Sequence, residues 1–309
     1  MAHYPLITIV GGSGFVGRHV VKLLASEGYR IRVLVRDCVA ADYLKTAGTP
    51  GQIVLEHADI TRPQTLSGKL AGSDAVVNLV SIAYECGRQK FKSINVTGAA
   101  AIAAEAKKAG ARAFVQISAL GADTMTDTNY GKTKRAGEEA VRAAFPQATI
   151  LRPSLIVGPE DHFFQRFARM SMIAPFLPLI GGGKTKFQPV LVTDVAKAIL
   201  ASIKLPEAAG NTYELTGPTV ASMRGLLELM GRITRRKLCF LSIPSGIAKL
   251  KAFFFELLPF PPLLTRDQVA LLRHDNIATA GAPGLAALGI HAGAIEDALP
   301  AYLSRFVKE

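Results

Sequence analysis

An α/β fold, with a doubly wound parallel sheet and a smaller C-terminal α/β lobe, is the architecture predicted by this 309-residue sequence. Three observations carry that expectation. Short β-rich runs alternate with helix-compatible segments through the first half of the chain. A glycine-rich turn joins the first of those runs to the first helical pattern. After Pro153 the alternation loosens into helices, proline-rich loops and short strands. Regular alternation implies parallel strands with helices packed on both faces.

The first run, Leu6-Ile7-Thr8-Ile9-Val10, ends in glycines, and Val16, Val20, Val21, Leu23 and Leu24 follow at helical spacing, which makes an opening βα unit. Further strand-like runs are Ile31 to Val35, Ile53 to Leu55, Ala75 to Val80, Phe114 to Ile117 and Ala148 to Leu151. The alanine-rich stretch Gly98 to Gly110 reads as a helix, with Gly110 as its stop. Residues 1–153 are expected to form the first domain and 154–309 the smaller lobe, with some chain returning to the sheet. Gly181-Gly182-Gly183, Tyr213-Glu214-Leu215 and Pro259-Phe260-Pro261-Pro262 punctuate that lobe. It is expected to cover the carboxyl edge of the sheet, where open α/β sheets bind ligands. In Val192-Thr193-Asp194-Val195 a helix start is expected, with Asp194 as its cap.

Hydrophobic residues at 49% and charged residues at 19% describe a folded globular chain, long enough to bury a sizeable core. A net charge of +12 favours acidic partners: nucleotide phosphates, anionic lipid headgroups, an acidic protein surface or nucleic acid. The one dense basic run, Arg232 to Lys237, lacks the aromatic interleaving and zinc spacing of nucleic-acid modules, so it reads as a solvated helix end and no nucleic-acid partner is expected. Cys38, Cys86 and Cys239 are too scattered for a disulfide framework, and the six histidines make no ligand pair, so no metal site is expected. With no bilayer-spanning stretch and a first strand starting at Leu6, the expected location is cytoplasmic, or peripheral on the cytoplasmic face of the inner membrane.

Gly11-Gly12-Ser13-Gly14-Phe15-Val16-Gly17 spaces its glycines as G-x-x-G-x-x-G between strand and helix, the phosphate-binding turn of a Rossmann fold. Gly11 suits the tight turn, Gly14 lets a pyrophosphate approach the backbone, and Gly17 allows close helix packing. The expected dinucleotide contacts here are Gly11, Ser13, Gly14, Phe15, Val16, Gly17 and Arg18. At the end of the second strand a carboxylate would select a free ribose 2′-hydroxyl and a guanidinium a 2′-phosphate. Arg36 precedes Asp37 there, so NADP(H) is expected, with NAD(H) as the alternative and Arg18 as a second phosphate contact. Asp59 and Ile60 are placed to meet the adenine, although Asp59 reads equally well as a loop cap. Asn78 and Val80, after the fourth strand, and Pro153 and Ser154, after the sixth, are placed near the nicotinamide, although Pro153 and Ser154 read equally well as a turn out of the sheet.

Ser118 ends the fifth strand, while Tyr130 and Lys134 lie four residues apart on one face of the next helix. An ammonium beside a phenol lowers its pKa, so Tyr130 could exchange a proton with a carbonyl or alcohol while hydride moves, with Ser118 orienting the same oxygen. The segment Phe253-Phe254-Phe255-Glu256-Leu257-Leu258-Pro259-Phe260, preceded by Lys249 and Lys251, reads either as core or as a surface for a membrane or a hydrophobic partner.

Taken together, the glycine turn, Ser118, Tyr130/Lys134, Arg152-Pro153-Ser154 and Gly158-Pro159-Glu160-Asp161 resemble the atypical short-chain dehydrogenase/reductase family, close to the accessory alpha-subcomplex subunit of respiratory complex I and its bacterial relatives. Gln188-Pro189-Val190, Thr265-Arg266-Asp267 and Leu288-Gly289-Ile290 extend the resemblance into the C-terminal half. It implies a tightly held NADPH, a role in assembling or stabilising a membrane-bound NADH:quinone oxidoreductase, and no established turnover. The alternatives are a working NAD(P)-dependent oxidoreductase or sugar-nucleotide epimerase that uses Ser118, Tyr130 and Lys134, or a redox-sensing regulator sharing the same cleft.

Overall fold

The computed structural model describes residues 5–87, 89–257 and 262–308. Six strands and three helices make up the first half: β1 (Leu6–Val10), α1 (Phe15–Ser26), β2 (Arg30–Val35), β3 (Ile53–His57), β4 (Ala75–Asn78), α2 (Ala99–Lys108), β5 (Ala113–Ile117), α3 (Asn129–Ala144) and β6 (Thr149–Pro153). The chain continues through β7 (Ile156–Val157), α4 (Phe164–Ile173), β8 (Phe176–Ile180), β9 (Lys186–Phe187), β10 (Val190–Leu191), α5 (Val192–Lys204) and β11 (Thr212–Leu215). It closes with β12 (Ala221–Ser222), α6 (Met223–Ile233), β13 (Cys239–Ile243), α7 (Ser245–Glu256), α8 (Arg266–Leu271) and α9 (Ile295–Leu303).

Seven parallel strands form the main sheet in the order β11-β6-β5-β4-β1-β2-β3. This is the doubly wound Rossmann architecture expected from the sequence. The strand order reverses between β1 and β4, which opens a crevice at their carboxyl ends. One face of the sheet is covered by α1 and α5, with Val20, Leu24, Val195 and Ile199 buried there. The opposite face packs Ile102, Ala106, Val141 and Phe145 of α2 and the end of α3. Because α5 and β11 lie beyond Pro153, the chain does return to complete the sheet. A third apolar cluster, with Leu177, Leu179, Leu226, Met230 and Leu299 at its centre, belongs to the second half alone.

Local chemistry explains where the elements depart from the sequence pattern. Strand β4 stops at Asn78, two residues before the apolar run ends, because the Asn78 carboxamide oxygen accepts from the Val80 N–H at 3.1 Å and turns the chain out of the sheet. The alanine-rich helix ends as expected, with Gly110 at φ 76°. Its entry was not legible: residues Lys92–Gly98 form a π-helical turn. Helix α3 packs so closely on that turn that a Cβ at Gly137 would lie 2.1 Å from the Asn95 carbonyl oxygen. Asp194 does not cap α5. The N-cap position is Leu191, and Asp194, inside the first turn, accepts from the Gly293 N–H at 2.8 Å and pairs with Lys197 at 3.0 Å. Its carboxylate ties a remote loop to the helix, a partner that local sequence cannot reveal.

Candidate functional site

The glycine turn sits at the β1/β4 switch point. Gly11 takes φ 85°, the left-handed conformation that its place in the turn required. At Gly17 a Cβ would lie 2.5 Å from the Gly12 backbone, so strand turn and helix touch as the spacing implied. The first turn of α1 carries no acidic residue, and its N-cap, Gly14, offers no side chain to the helix N–H groups. Those groups and the helix dipole are therefore left to an anion.

A cleft of about 220 Å³ opens from this turn, and it gathers Gly11, Ser13, Gly14, Arg36, Asp59 and Ile60. Val80 and Ser81 line its other side. Arg36 is exposed at the end of β2, and among the described residues its guanidinium makes no ion pair; Asp37 instead accepts from the Ala40 N–H at 3.0 Å. Burial opposes ionisation of Asp59, yet hydrogen bonds from Thr61 and the charges of Arg36 and Arg62 hold its carboxyl below the usual range. Asp59 caps its loop through Thr61 and also lines the cleft.

Other residues expected at the site support it from outside the cleft lining. Arg18 lies over the Tyr43 ring at 5.3 Å and reaches Glu160 at 3.7 Å, while its Nε is buried without a partner. Phe15 meets His19 edge-on at 6.0 Å, and Val16 packs on the sheet core. Asn78 is fully buried, its amide donating to Gln116 at 2.9 Å and its oxygen holding Val80. Pro153 ends β6, and Ser154 donates to the Asn276 side chain at 2.6 Å, joining the sheet to the C-terminal half.

Lys134 links the Tyr130 ring to the end of β5, where Ser118 follows Ile117. Lys134 Nζ lies 5.8 Å from the Tyr130 ring centroid and donates to the Ile117 carbonyl at 3.4 Å, one residue from Ser118. Burial pulls the Lys134 ammonium down to about 8, with Glu138 opposing the shift. Burial likewise pushes the Tyr130 hydroxyl up to about 12, held back in part by a hydrogen bond with Ser81. Among the described residues the buried Ser118 hydroxyl has no partner. A buried hydroxyl left unpaired at the end of a sheet strand is a place for a hydrogen-bonding ligand. These features fit a dinucleotide whose nicotinamide ring reaches the end of β5.

Several contacts that organise the site were not legible in the sequence. Glu138, one further turn along α3 from Lys134, forms a two-pronged pair with Arg152 at 2.9 and 2.8 Å, and Arg152 also reaches Asp123 at 2.7 Å. The spacing of positions 130, 134 and 138 was legible as one helix face; the partner on β6 was not. Asp267 accepts from the N–H groups of Asn129 and Tyr130 at 2.7 and 3.0 Å, so a carboxylate from α8 caps the helix that carries Tyr130. Among the described residues no group of three or more His, Cys, Asp or Glu is placed to hold a metal, and no helix is long and apolar enough to cross a membrane.

A glycine turn at a strand-order reversal, an uncapped helix N-terminus and a buried lysine beside a half-buried tyrosine define a nicotinamide-dinucleotide-binding α/β protein, and the chain belongs to the NAD dependent epimerase/dehydratase family, whose profile matches residues 7–215. Its similarity to particular proteins runs further along the chain. It is 36% identical over 281 residues to the mitochondrial NADH dehydrogenase (ubiquinone) 1 alpha subcomplex subunit 9 of Arabidopsis thaliana, covering 87% of this chain and 70% of the relative. To the ceramide reductase of Caulobacter vibrioides it is 32% identical over 201 residues, 65% of this chain and 62% of that protein. The structure of a triphenylmethane reductase from Citrobacter sp. shares its fold with a TM-score of 0.75 at 17% identity, covering 96% of this chain and 99% of that one.

Proposed function

We propose that this protein is an NADP(H)-binding accessory component that stabilises or helps assemble a membrane-bound NADH:quinone oxidoreductase, respiratory complex I, from a peripheral position on the cytoplasmic face of the inner membrane. The observation that carries the reading is the 36% identity to a complex I subunit, which spans most of both halves of this chain and not only the dinucleotide-binding residues. In this reading residues 1–153 hold the nucleotide and residues 154–309 face the partner. The backbone from Gly11 to Gly17 takes the pyrophosphate. Asp59 and Ile60 border the adenine, and Val80, Pro153 and Ser154 border the nicotinamide side. Arg36, exposed and without an ion-pair partner at the end of β2, supports the 2′-phosphate and hence NADP(H) over NAD(H).

The test is to purify the protein without added nucleotide, release its ligand by denaturation, identify it by mass spectrometry and follow exchange with labelled NADPH. Stoichiometric, slowly exchanging NADP(H) supports a structural cofactor, and co-migration with the respiratory complex in detergent extracts supports the partner. Bound NAD(H) overturns the role of Arg36, and absence from the complex overturns the accessory role.

One arrangement favours a second reading, that of a working oxidoreductase or epimerase. The Lys134 ammonium lies 5.8 Å from the Tyr130 ring and reaches the carbonyl of Ile117 at the end of β5, next to Ser118, whose buried hydroxyl has no partner among the described residues. When bound, a nicotinamide would supply or accept hydride there. Tyr130 would pass a proton to or from the substrate oxygen, Lys134 would favour the phenolate, and Ser118 would orient that oxygen. Tyr130→Phe is then expected to keep nucleotide affinity within about twofold and to lower turnover by about 100-fold or more. Unchanged turnover in that variant removes Tyr130 from the chemistry.

A further inference from the structure

Helix α7 is built inside out. At about 100° per residue, its buried side is centred on two small residues, Ala248 and Ala252, at 2% and 0% exposure. Its outward stripe carries the large apolar residues Ile247, Leu250, Phe253, Phe254 and Leu257, each between 41% and 66% exposed. Lys249 and Lys251 flank the stripe, one on either edge. The one acidic residue of the helix, Glu256, is already engaged by Arg266 at 2.7 Å. A soluble helix normally buries its large apolar residues and exposes its small or polar ones, so this pattern is reversed.

The exposed apolar surface continues beyond the helix. Strands β8 and β13 pair in parallel with Phe176 opposite Cys239, Leu241 opposite Pro178 and Ile243 opposite Ile180. The Ile180–Ile243 end of that face packs with Ala248 and Ala252 under α7. Further along the same face Phe176 and Leu241 stand 64% and 61% exposed. The turn that leads into β13 carries Arg232, Arg235, Arg236 and Lys237, and among the described residues none of these makes an ion pair. Large apolar side chains bordered by unneutralised lysines and arginines match the boundary between headgroups and acyl chains of an anionic leaflet, where the lysine stems lie along the apolar region and their charges reach the phosphates.

We propose that α7 and the adjoining β8–β13 face form a lipid-contacting surface that lies flat on an anionic phospholipid bilayer. This deepens the docking part of the proposed function by assigning that face to lipid and not to protein, and it is independent of what the nucleotide cleft does. The experiment is flotation of the purified full chain with vesicles of phosphatidylcholine alone or with about one-third phosphatidylglycerol, at low and high salt.

The expected result is binding to the anionic vesicles that weakens as salt rises. Each basic residue near such a surface is worth about fivefold in partitioning, so Lys249→Gln with Lys251→Gln is expected to lower binding by roughly 25-fold. Leu250→Asp with Phe254→Asp is expected to abolish it. Both pairs are at the surface, and an unchanged melting temperature verifies that they fold. Absence of binding to anionic vesicles, or binding unchanged in both double variants, overturns the proposal. If the wild type ignores vesicles but the Leu250/Phe254 variant no longer co-migrates with the respiratory complex, the stripe is a protein interface; the lipid assignment then falls while the accessory reading stands.

Discussion

Two side chains carry the sharpest expectations. Arg36 is exposed at the end of β2 and among the described residues makes no ion pair, so its guanidinium is open to a 2′-phosphate. Arg36→Ala is expected to weaken NADPH binding by about tenfold or more and to leave NADH binding nearly unchanged, as measured by fluorescence titration with each nucleotide. A similar loss for both nucleotides would place Arg36 at the adenine and away from the phosphate. Lys134 is costly to the fold for the reason it is useful to the site. Burial sets its folded value at about 8 against an ordinary 10.5. Between those two pH values the unfolded chain holds the extra proton, so stability contributed through Lys134 rises with pH across that window. Lys134→Met removes a penalty of up to about 3 kcal/mol at pH 7. The expected gain is roughly 4–8 °C in Tm at pH 7, a flatter rise between pH 8 and 10.5, and weaker nucleotide binding. No gain in Tm would mean that water reaches Nζ freely.

Helix α3 shows how an element is held from several directions at once. Its first-turn N–H groups are met by Thr128, whose hydroxyl accepts from Gly131 at 3.0 Å, and by Asp267 from α8. Asp267→Ala is expected to cost about 1–2 kcal/mol in urea unfolding, with Asp267→Asn losing less because one acceptor remains. Equal stability of the alanine variant would show that water replaces the carboxylate without loss. The contrast between what was and was not legible runs along this helix. Tyr130 and Lys134 announce themselves by a four-residue spacing after a strand that ends in serine, a pattern with local geometric meaning. Asp267 is 137 residues from Tyr130, and its pairing is decided by how α8 folds back, for which no local pattern exists. The bend after β4 was hidden for a related reason: Asn78 imposes it through the Val80 N–H, while the apolar run Ala75 to Val80 reads as uninterrupted strand.

Across the whole molecule, the parallel sheet was legible because strands buried on both faces read as apolar runs, and because the glycine turn fixes where the first strand ends. The C-terminal half was not, since its short strands pair with distant segments and its loops carry no periodicity. One consequence is that the sheet does not end where its periodicity does. β11 pairs with β6, and α5 supplies Val195, Ala196 and Ile199 to the core over α1. A fragment of residues 1–153 is therefore expected to be aggregated or molten, with lost near-ultraviolet circular dichroism and exposed apolar surface; a soluble, cooperatively unfolding fragment would contradict this. The unit formed by α7 and α8 stands at the other extreme, since among the described residues its buried apolar core consists of Ala248, Ala252 and Val269. So small a core opens at a low free-energy cost compared with the sheet, and it opens as a unit. Each opening withdraws Asp267 from the amides of Asn129 and Tyr130, so those two protons exchange with solvent at the rate at which a distant surface element comes loose. Whatever settles on α7 would slow their exchange, and the amide of Tyr130 becomes a reporter, inside the nucleotide site, of an event on the outside of the protein.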